Sequence, residues 1–319
     1  MDSKAFVLEF RKAVVTSRSD VLILTHVQPD GDAVGSAIAI QLILDQLKVK
    51  SKIIWNKVSQ EAWHKWDPFA EAIVCDLSDT AQYPVVITVD CSNPDRLGEA
   101  KRFLETAKKV INIDHHTDNS LYGTINWVHE ASSVGELIDA WLPLLDVVFT
   151  SSLAEALIVS IVTDTGRFKY SNTSAHLFLV MNRLVALVGQ TRYHELMSLL
   201  FAEESLLKWQ LISLAIQNLT MVCEGIAFSY IDRDCGEEDG LVDPVLSIRG
   251  VRAAVLARPV GDQLRLSFRA KDTQLNIRNL AQHFGGGGHI HASGATLNLT
   301  DFPKQIEEIK SAMEAYFSE

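Results

Sequence analysis

Short apolar runs alternate with longer stretches of helical spacing through the first half of the chain. Residues 21–25 are a brief apolar run, Pro29-Asp30-Gly31-Asp32 reads as a turn, and residues 33–47 carry apolar positions at helical spacing. Residues 52–55 and 73–75 are weaker strand candidates. Residues 85–89 and 110–113 are stronger ones, being short, β-branched and bounded by polar positions. Residues 133–141, 152–163 and 174–189 read as helices, the last closing on a glycine. Strands alternating with helices predict a parallel sheet covered on both faces. In such sheets the ligand site lies beyond the carboxyl ends of the strands.

The second half has a different texture. Residues 191–219 hold neither Pro nor Gly and predict a helical connector. Residues 221–231 and 264–269 then alternate like half-buried strands, residues 285–288 are four consecutive glycines, and 302–317 is an amphipathic helix. The pattern predicts an α/β protein of two parts: a first domain over 1–190, a helical linker over 191–217, and a smaller α/β domain over 218–319.

Composition and charge narrow the class. A chain of 319 residues is long enough for two domains with separate cores. Its 47% hydrophobic and 22% charged content is that of an ordinary globular protein. No apolar run approaches the roughly 18–20 residues of a membrane span, and the N-terminal stretch lacks the apolar segment of a secretory signal. The four cysteines (Cys75, Cys91, Cys223 and Cys235) are scattered without a Cys-x-x-Cys pair, which fits a reducing cytoplasm. A net charge of −11 argues against tight, nonspecific binding of long nucleic acid, which needs an array of basic residues. An acidic chain can still act on a small phosphate ester if bound cations invert the local field.

The candidate chemistry sits at the ends of these apolar runs. His26, Asp30 and Asp32 follow the first, Asp90 follows residues 85–89, Asp114-His115-His116 follow residues 110–113, and Asp164 follows the helical run over 152–163. Oxygen and imidazole donors delivered from several strand ends suit a pair of hard divalent metals. Each acid alone also has a plain structural reading. Asp32 before Ala33 would cap a helix, Asp90 and Asp114 would close turns, and Asp164 would lie in a helix C-terminal turn completed by Gly166. The tandem histidines weigh toward a site, since neighbours on a loop point in different directions. A carboxylate at a helix C-terminus is disfavoured by the dipole, a conflict that a bound cation would remove. Further along, the four glycines Gly285, Gly286, Gly287 and Gly288 precede His289, while Arg269 ends a strand; such a loop can present amides to a phosphate or be a simple surface turn.

Taken together, His26-Val-Gln-Pro-Asp-Gly-Asp-Ala-Val-Gly-Ser36, Val89-Asp-Cys-Ser-Asn-Pro-Asp-Arg-Leu-Gly98, Ile113-Asp-His-His-Thr-Asp-Asn119 and Thr163-Asp-Thr-Gly-Arg-Phe168 resemble the motifs of the DHH phosphoesterases. Phe284-Gly-Gly-Gly-Gly-His289 resembles the signature of the accompanying DHHA1 domain. By size and layout the nearest members are the NrnA-type nanoRNases and 3′-phosphoadenosine-phosphate phosphatases. The resemblance implies a parallel-sheet DHH domain and a smaller DHHA1 domain with a catalytic cleft between them. It implies that His26 and Asp30 hold one metal, Asp32, His115 and Asp164 the other, and that Asp90 bridges. Asp114 would orient a ligand from behind, His116 would contact the scissile phosphate, and Arg269, His289 and the glycine loop would grip the nucleotide. Two divalent ions are implied, Mn²⁺ ahead of Mg²⁺, with a metal-bridging hydroxide as the attacking group.

The substrates implied are short oligoribonucleotides and linear dinucleotides such as pGpG or pApA, cleaved to 5′-mononucleotides. A 3′-phosphatase acting on pAp is the first alternative. Pyrophosphate or polyphosphate ranks behind it, because related pyrophosphatases carry a different C-terminal domain. A non-catalytic nucleotide-binding regulator ranks last, since every ligand position is filled. Two departures from the family pattern, Ala270 after the arginine and Ile290-His291-Ala292-Ser293-Gly294 after the glycine-histidine signature, bear on substrate preference. The sequence leaves a homodimer open.

Overall fold

Four of the five strands of the first sheet begin or end within a residue or two of an apolar run, because a strand buried on both faces is apolar nearly throughout. The computed structural model describes residues 2–16, 20–55, 77–202, 204–234, 236, 240–272, 274–288 and 290–317. The weak strand candidate at 73–75, Cys75, Cys235 and His289 lie outside the described residues. The chain divides into two compact units, Met1–Ala202 and Glu203–Glu319.

In the first unit the strands are β1 (Val21–Leu24), β2 (Ser51–Ile54), β3 (Val85–Val89), β4 (Lys109–Asp114) and β5 (Ile125–Val128). They pair in parallel in the order β2-β1-β3-β4-β5. The helices are α1 (Ser3–Val15), α2 (Gly31–Gln46), α3 (Arg102–Thr106), α4 (Val134–Trp141), α5 (Ser151–Asp164), α6 (Ala175–Val188) and α7 (Gln190–Phe201). Ile23, Ile87 and Ile111 face one core with α1, α2, α4, α5 and α6. Leu22, Leu24 and Val86 face the other, against Leu97, Ala100 and Phe103 of the Pro94–Lys101 3₁₀ segment and α3. The strand order reverses direction between β1 and β3, which opens a crevice at their carboxyl ends.

Close helix packing fixes the start of α2 against α5. A Cβ on Gly35 would stand 2.4 Å from the Ala156 carbonyl oxygen and 2.7 Å from Ser160 N, so only glycine permits this approach. The same contact brings Asp32, one turn earlier, beside Ser160.

The second unit has a mixed sheet. Its strands are β6 (Thr220–Cys223), β7 (Ile226–Tyr230), β8 (Ala253–Val260), β9 (Gln263–Ala270), β10 (Gly287–Gly288) and β11 (Ala292–Asn298). They run in the order β10-β11-β9-β8-β7-β6, with only β7 and β8 parallel. Its helices are α8 (Leu206–Gln217), α9 (Asp243–Leu246), α10 (Ile277–His283) and α11 (Phe302–Tyr316). Phe228, Val255, Leu266 and Phe268 pack under α10 and α11. On the opposite face Ala227, Ala254 and Leu256 pack under α8 and α9.

Several details differ from the sequence reading. The continuous helix expected over 191–219 is two helices; Ser205 starts the second by accepting from the Lys208 N–H at 3.0 Å, a break that a count of Pro and Gly does not reveal. The single strand expected over 221–231 is a β6–β7 hairpin turned at Gly225, whose φ is +80°. β5 and β8 were not anticipated. Among the described residues no helix is long and apolar enough to cross a membrane.

Candidate metal centre

The crevice at the β1/β3 reversal collects the acidic and histidine segments. His26 follows β1, and Asp30 is the N-cap of α2, its Oδ1 accepting from the Ala33 N–H at 3.1 Å. The capping role open to Asp32 in the sequence therefore belongs to Asp30. Asp32, one residue into the helix, turns inward and is 1% exposed. Its Oδ1 accepts from the Ser160 hydroxyl at 2.6 Å and its Oδ2 from the Val134 N–H at 2.8 Å. Asp90 leaves β3 with φ +53°, a left-handed conformation that a non-glycine residue holds only where its surroundings impose it. Asp114 is the last residue of β4, and Asp164 the last of α5.

Around Asp90 the side chains converge. His26 Nε2 lies 3.3 Å from Asp90 Oδ2 and 3.9 Å from Asp30 Oδ1. His115 Nε2 lies 3.6 Å from Asp90 Oδ1, 3.6 Å from Asp32 Oδ2 and 3.5 Å from Asp164 Oδ2. His26, Asp30 and Asp90 form one group whose donor atoms all lie within 4.8 Å of one another, and Asp32, His115 and Asp164 form a second. A third grouping joins Asp90 to His115 and His116. The ring of His26 is turned by a 2.8 Å contact of Nδ1 with the Val27 carbonyl oxygen, and that of His115 by a 3.2 Å contact of Nδ1 with the Ala131 carbonyl oxygen. Both contacts leave Nε2 facing the acids, the arrangement in which a backbone acceptor selects the ligating nitrogen.

The electrostatics of the cluster favour a cation. Burial, and then the nearby Asp90 carboxylate, push the Asp32 carboxyl well above its ordinary range. Burial pushes Asp164 up to about 7, with Asp30 and Asp90 adding to it against the pull of His115. Burial opposes ionisation of Asp90 too, but the imidazoles of His115 and His26 outweigh it and hold that carboxyl well below its ordinary range. Asp90 Oδ1 is buried without a hydrogen-bond partner. Two carboxyls that resist ionisation and one orphaned buried oxygen are what a mixed oxygen and nitrogen cation site leaves when considered as protein alone. The residues fit divalent cations.

His116 faces the same space differently. Its Nδ1 donates to Asp114 Oδ1 at 2.7 Å and lies 3.4 Å from Asp90 Oδ1. Asp114 is fully buried and is held from behind by Asn119, whose Nδ2 donates to Asp114 Oδ2 at 2.5 Å. Asn119 closes the motif quoted over 113–119, but no role for it, nor for Asn112 and Tyr122 beside it, was anticipated. The signal available was Asn112, a lone amide inside the apolar run of β4.

In the second unit Arg269 lies on β9, its Nε 3.8 Å from Asp243 Oδ1 and its guanidinium donating to the Phe268 carbonyl oxygen at 3.1 Å. The alternation of β9 sets Arg265, Ser267 and Arg269 on one face. The glycine loop follows α10: Gly285 has φ +72°, and Gly286 N–H donates to the Ala281 carbonyl oxygen at 2.9 Å. Gly287 and Gly288 pair with Gly294 and Ser293 of β11. Gly285, Gly286 and Gly287 line a polar cavity of about 500 Å³ with Arg258, Arg265 and Ser267. Arg265 was not anticipated; its place two and four residues before Ser267 and Arg269 in an alternating strand was the available signal.

Comparison with known proteins agrees with this geometry. Residues 20–175 match the DHH family, N-terminal domain, and residues 224–319 match the DHHA1 domain. A Bacillus subtilis protein named bifunctional oligoribonuclease and PAP phosphatase NrnA is 30% identical over 300 residues, covering 90% of this chain and 92% of its own length. A Thermus thermophilus protein of the same name is 26% identical over 312 residues, covering 96% and 92%. Among solved structures, an exopolyphosphatase-related protein from Bacteroides fragilis superposes with a TM-score of 0.85 at 21% identity, covering 99% of this chain and 98% of that one. The chain belongs to the DHH family.

Proposed function

We propose that this protein is a two-metal phosphodiesterase that hydrolyses linear dinucleotides and other short oligoribonucleotides to 5′-mononucleotides. The carrying observation is the pair of donor groups, His26-Asp30-Asp90 and Asp32-His115-Asp164, gathered at one sheet crevice. We assign the first group and the second to one ion each, with Asp90 between them. The donor set of carboxylates and imidazoles favours Mn²⁺, with Mg²⁺ as the alternative. Ions bound there supply Lewis acidity toward the phosphoryl oxygens and lower the pKa of water at the site.

The chain's own groups account for the remainder. Ser160 and the Val134 amide hold Asp32 within its donor group, and the Val27 and Ala131 carbonyl groups aim His26 and His115. His116, turned by Asp114, offers its other ring nitrogen to the scissile phosphate, where charge develops in the transition state. Cys91, next to Asp90, is excluded as a nucleophile: burial pushes its thiol up to about 12. We assign the holding of the nucleotide to Arg269, the glycine loop and His289 of the second unit. The names of the Bacillus and Thermus relatives support the substrate class, and they favour a second activity, 3′-dephosphorylation of pAp.

One panel tests the reading: purified protein with Mn²⁺ offered pGpG, pApA, pAp, pyrophosphate and a 24-mer RNA. The expected result is rapid cleavage of both dinucleotides, release of phosphate from pAp, and little action on pyrophosphate or the 24-mer. Fast cleavage of the 24-mer with the dinucleotides untouched would overturn it.

A further inference from the structure

A line of buried amides and hydroxyls runs from the second face of the sheet to His116. Thr88 on β3 and Asn112 on β4 are register partners, both fully buried on the face opposite the large core. Asn112 Nδ2 donates to Thr88 Oγ1 at 3.1 Å, to the Cys91 carbonyl oxygen at 3.2 Å and to the Tyr122 hydroxyl at 3.2 Å. Tyr122 in turn donates to Thr88 Oγ1 at 2.8 Å. With its amide nitrogen so engaged, Asn112 presents Oδ1 outward, where it accepts from Asn119 Nδ2 at 2.8 Å.

Asn119 has its amide orientation fixed twice over. The Leu121 N–H can only donate, and it reaches Asn119 Oδ1 at 2.7 Å. Nδ2 is thereby turned toward three acceptors, Asn112 Oδ1, Asp114 Oδ2 and, at 3.4 Å, the Cys91 carbonyl oxygen. The other oxygen of Asp114 accepts from the His115 N–H at 2.9 Å and from His116 Nδ1 at 2.7 Å. Both carboxylate oxygens thus meet a donor, which holds the carboxylate in one orientation.

We infer that Asn119, itself oriented by Asn112 and Tyr122, is a positioning residue that acts through Asp114 to fix the ring plane and tautomer of His116. The inference rests on the proposed reading that His116 faces the substrate phosphate. Carboxylate and amide partners behind an active imidazole set which ring nitrogen carries the proton and where the other one points. Asn119 touches neither metal donor nor reacting atoms, so its effect belongs to catalysis rather than to binding.

The test compares the full-length wild type with Asn119→Asp and Asn119→Ala. Asn119→Asp keeps the shape and still accepts from the Leu121 N–H, but it places an oxygen without a proton against Asp114 Oδ2. Three measurements are made: kcat and KM on pGpG with Mn²⁺, Mn²⁺ affinity by calorimetry, and the ¹⁵N signature of the His116 ring in the diamagnetic Mg²⁺ form. For Asn119→Asp we expect kcat to fall about 10- to 100-fold, with KM and Mn²⁺ affinity within about threefold of wild type. The Nδ1–H signature of His116 should be lost or exchange-broadened, and Asn119→Ala should show smaller changes of the same kind. Either variant, folded by its melting curve, with wild-type kcat and an unchanged His116 signature overturns the inference. So does a loss of kcat matched by an equal loss of Mn²⁺ affinity, which would assign Asn119 to the metal scaffold. The ring signature needs no substrate, so a wild type inactive on nucleotides would refute the proposed function while leaving the positioning test intact.

Discussion

The two units present their polar groups in opposite ways. The first gathers ionisable side chains, with His26, Asp32, Asp90, Asp114 and His116 among them buried, at the carboxyl ends of a parallel sheet, with hydrogen bonds behind Asp32, His26 and His115. The second offers an open polar cavity in which three consecutive glycines stand beside two arginines, Ser267 and Thr296 on a mixed sheet. A buried charged cluster is rigid and intolerant, because each group depends on its neighbours for charge balance. A glycine-lined wall depends on little beyond close approach. The proposed function divides chemistry and holding between the two units, and substitutions in each can break that division.

The largest effect is expected at Asp90. Asp90→Ala removes the carboxylate that approaches His26, His115 and His116 together. We expect loss of Mn²⁺ binding and a fall in kcat/KM of roughly 10³-fold or more, measured by calorimetry and by pGpG hydrolysis. Turnover like wild type in this variant would refute the two-metal assignment and with it the contrast between the units.

Next is the packing that sets Asp32 in place. Gly35→Ala would press a methyl group into the Ala156 carbonyl oxygen and Ser160 N, both backbone atoms that cannot turn aside. Overpacking of this kind costs about 1–3 kcal/mol. Because the same contact aligns Ser160 with Asp32, Mn²⁺ affinity should fall together with the denaturant midpoint. An unchanged midpoint would mean that α2 and α5 separate easily, contrary to a rigid first unit.

In the second unit two adjacent glycines provide the matching test. A Cβ on Gly286 would lie 2.1 Å from the Gly294 carbonyl oxygen, whereas one on Gly287 meets nothing within 4 Å. Gly286→Ala should therefore destabilise by about 1–3 kcal/mol. Gly287→Ala should change stability by less than about 0.5 kcal/mol while raising KM for pGpG, if the loop wall touches the nucleotide. Equal KM values for wild type and Gly287→Ala would remove the glycine loop from the holding surface.

Much of this arrangement was legible in the sequence, and the reasons are local. β3 matched residues 85–89 because β-branched apolar runs have one stable use in a doubly covered sheet. His26, Asp90, Asp114, His115 and His116 were legible because they follow such runs, and Asp164 because it ends an apolar helix. The helix cap fell to Asp30 instead of Asp32, the residue for which it was weighed, because capping is decided by one turn of backbone geometry that spacing alone does not resolve. β8 escaped notice because Ala253, Ala254, Ala257 and Pro259 give it little strand character of its own; its neighbours on both sides make it a strand. The path through Asn112, Asn119 and Tyr122 was illegible because it depends on tertiary register between β3 and β4.

The smallest effect tests whether buried charge in the first unit is special to the metal centre. Asp79 lies at the amino-terminal side of the sheet, just before β3, and is only 12% exposed at its side chain. It accepts from Lys52 Nζ at 2.6 Å, the Ala81 N–H at 2.7 Å and the Tyr83 hydroxyl at 2.7 Å. The Lys52 hydrogen bond first, then those from Ala81 and Tyr83, hold its carboxyl down to about 2. A carboxyl lowered on folding adds stability that is complete above its unfolded pKa, near 4, and is lost as pH falls through its folded value near 2. Asp79→Asn should therefore cost roughly 1 kcal/mol at neutral pH, allowing for solvent screening of the partly exposed lysine. The difference from wild type, read from urea midpoints, should stay flat from pH 7 to 5 and shrink between pH 4 and 2. A difference that grew with acidity would mean that Asp79 resists ionisation as Asp32 and Asp164 do, and charge balance would then be as strained away from the metal centre as within it.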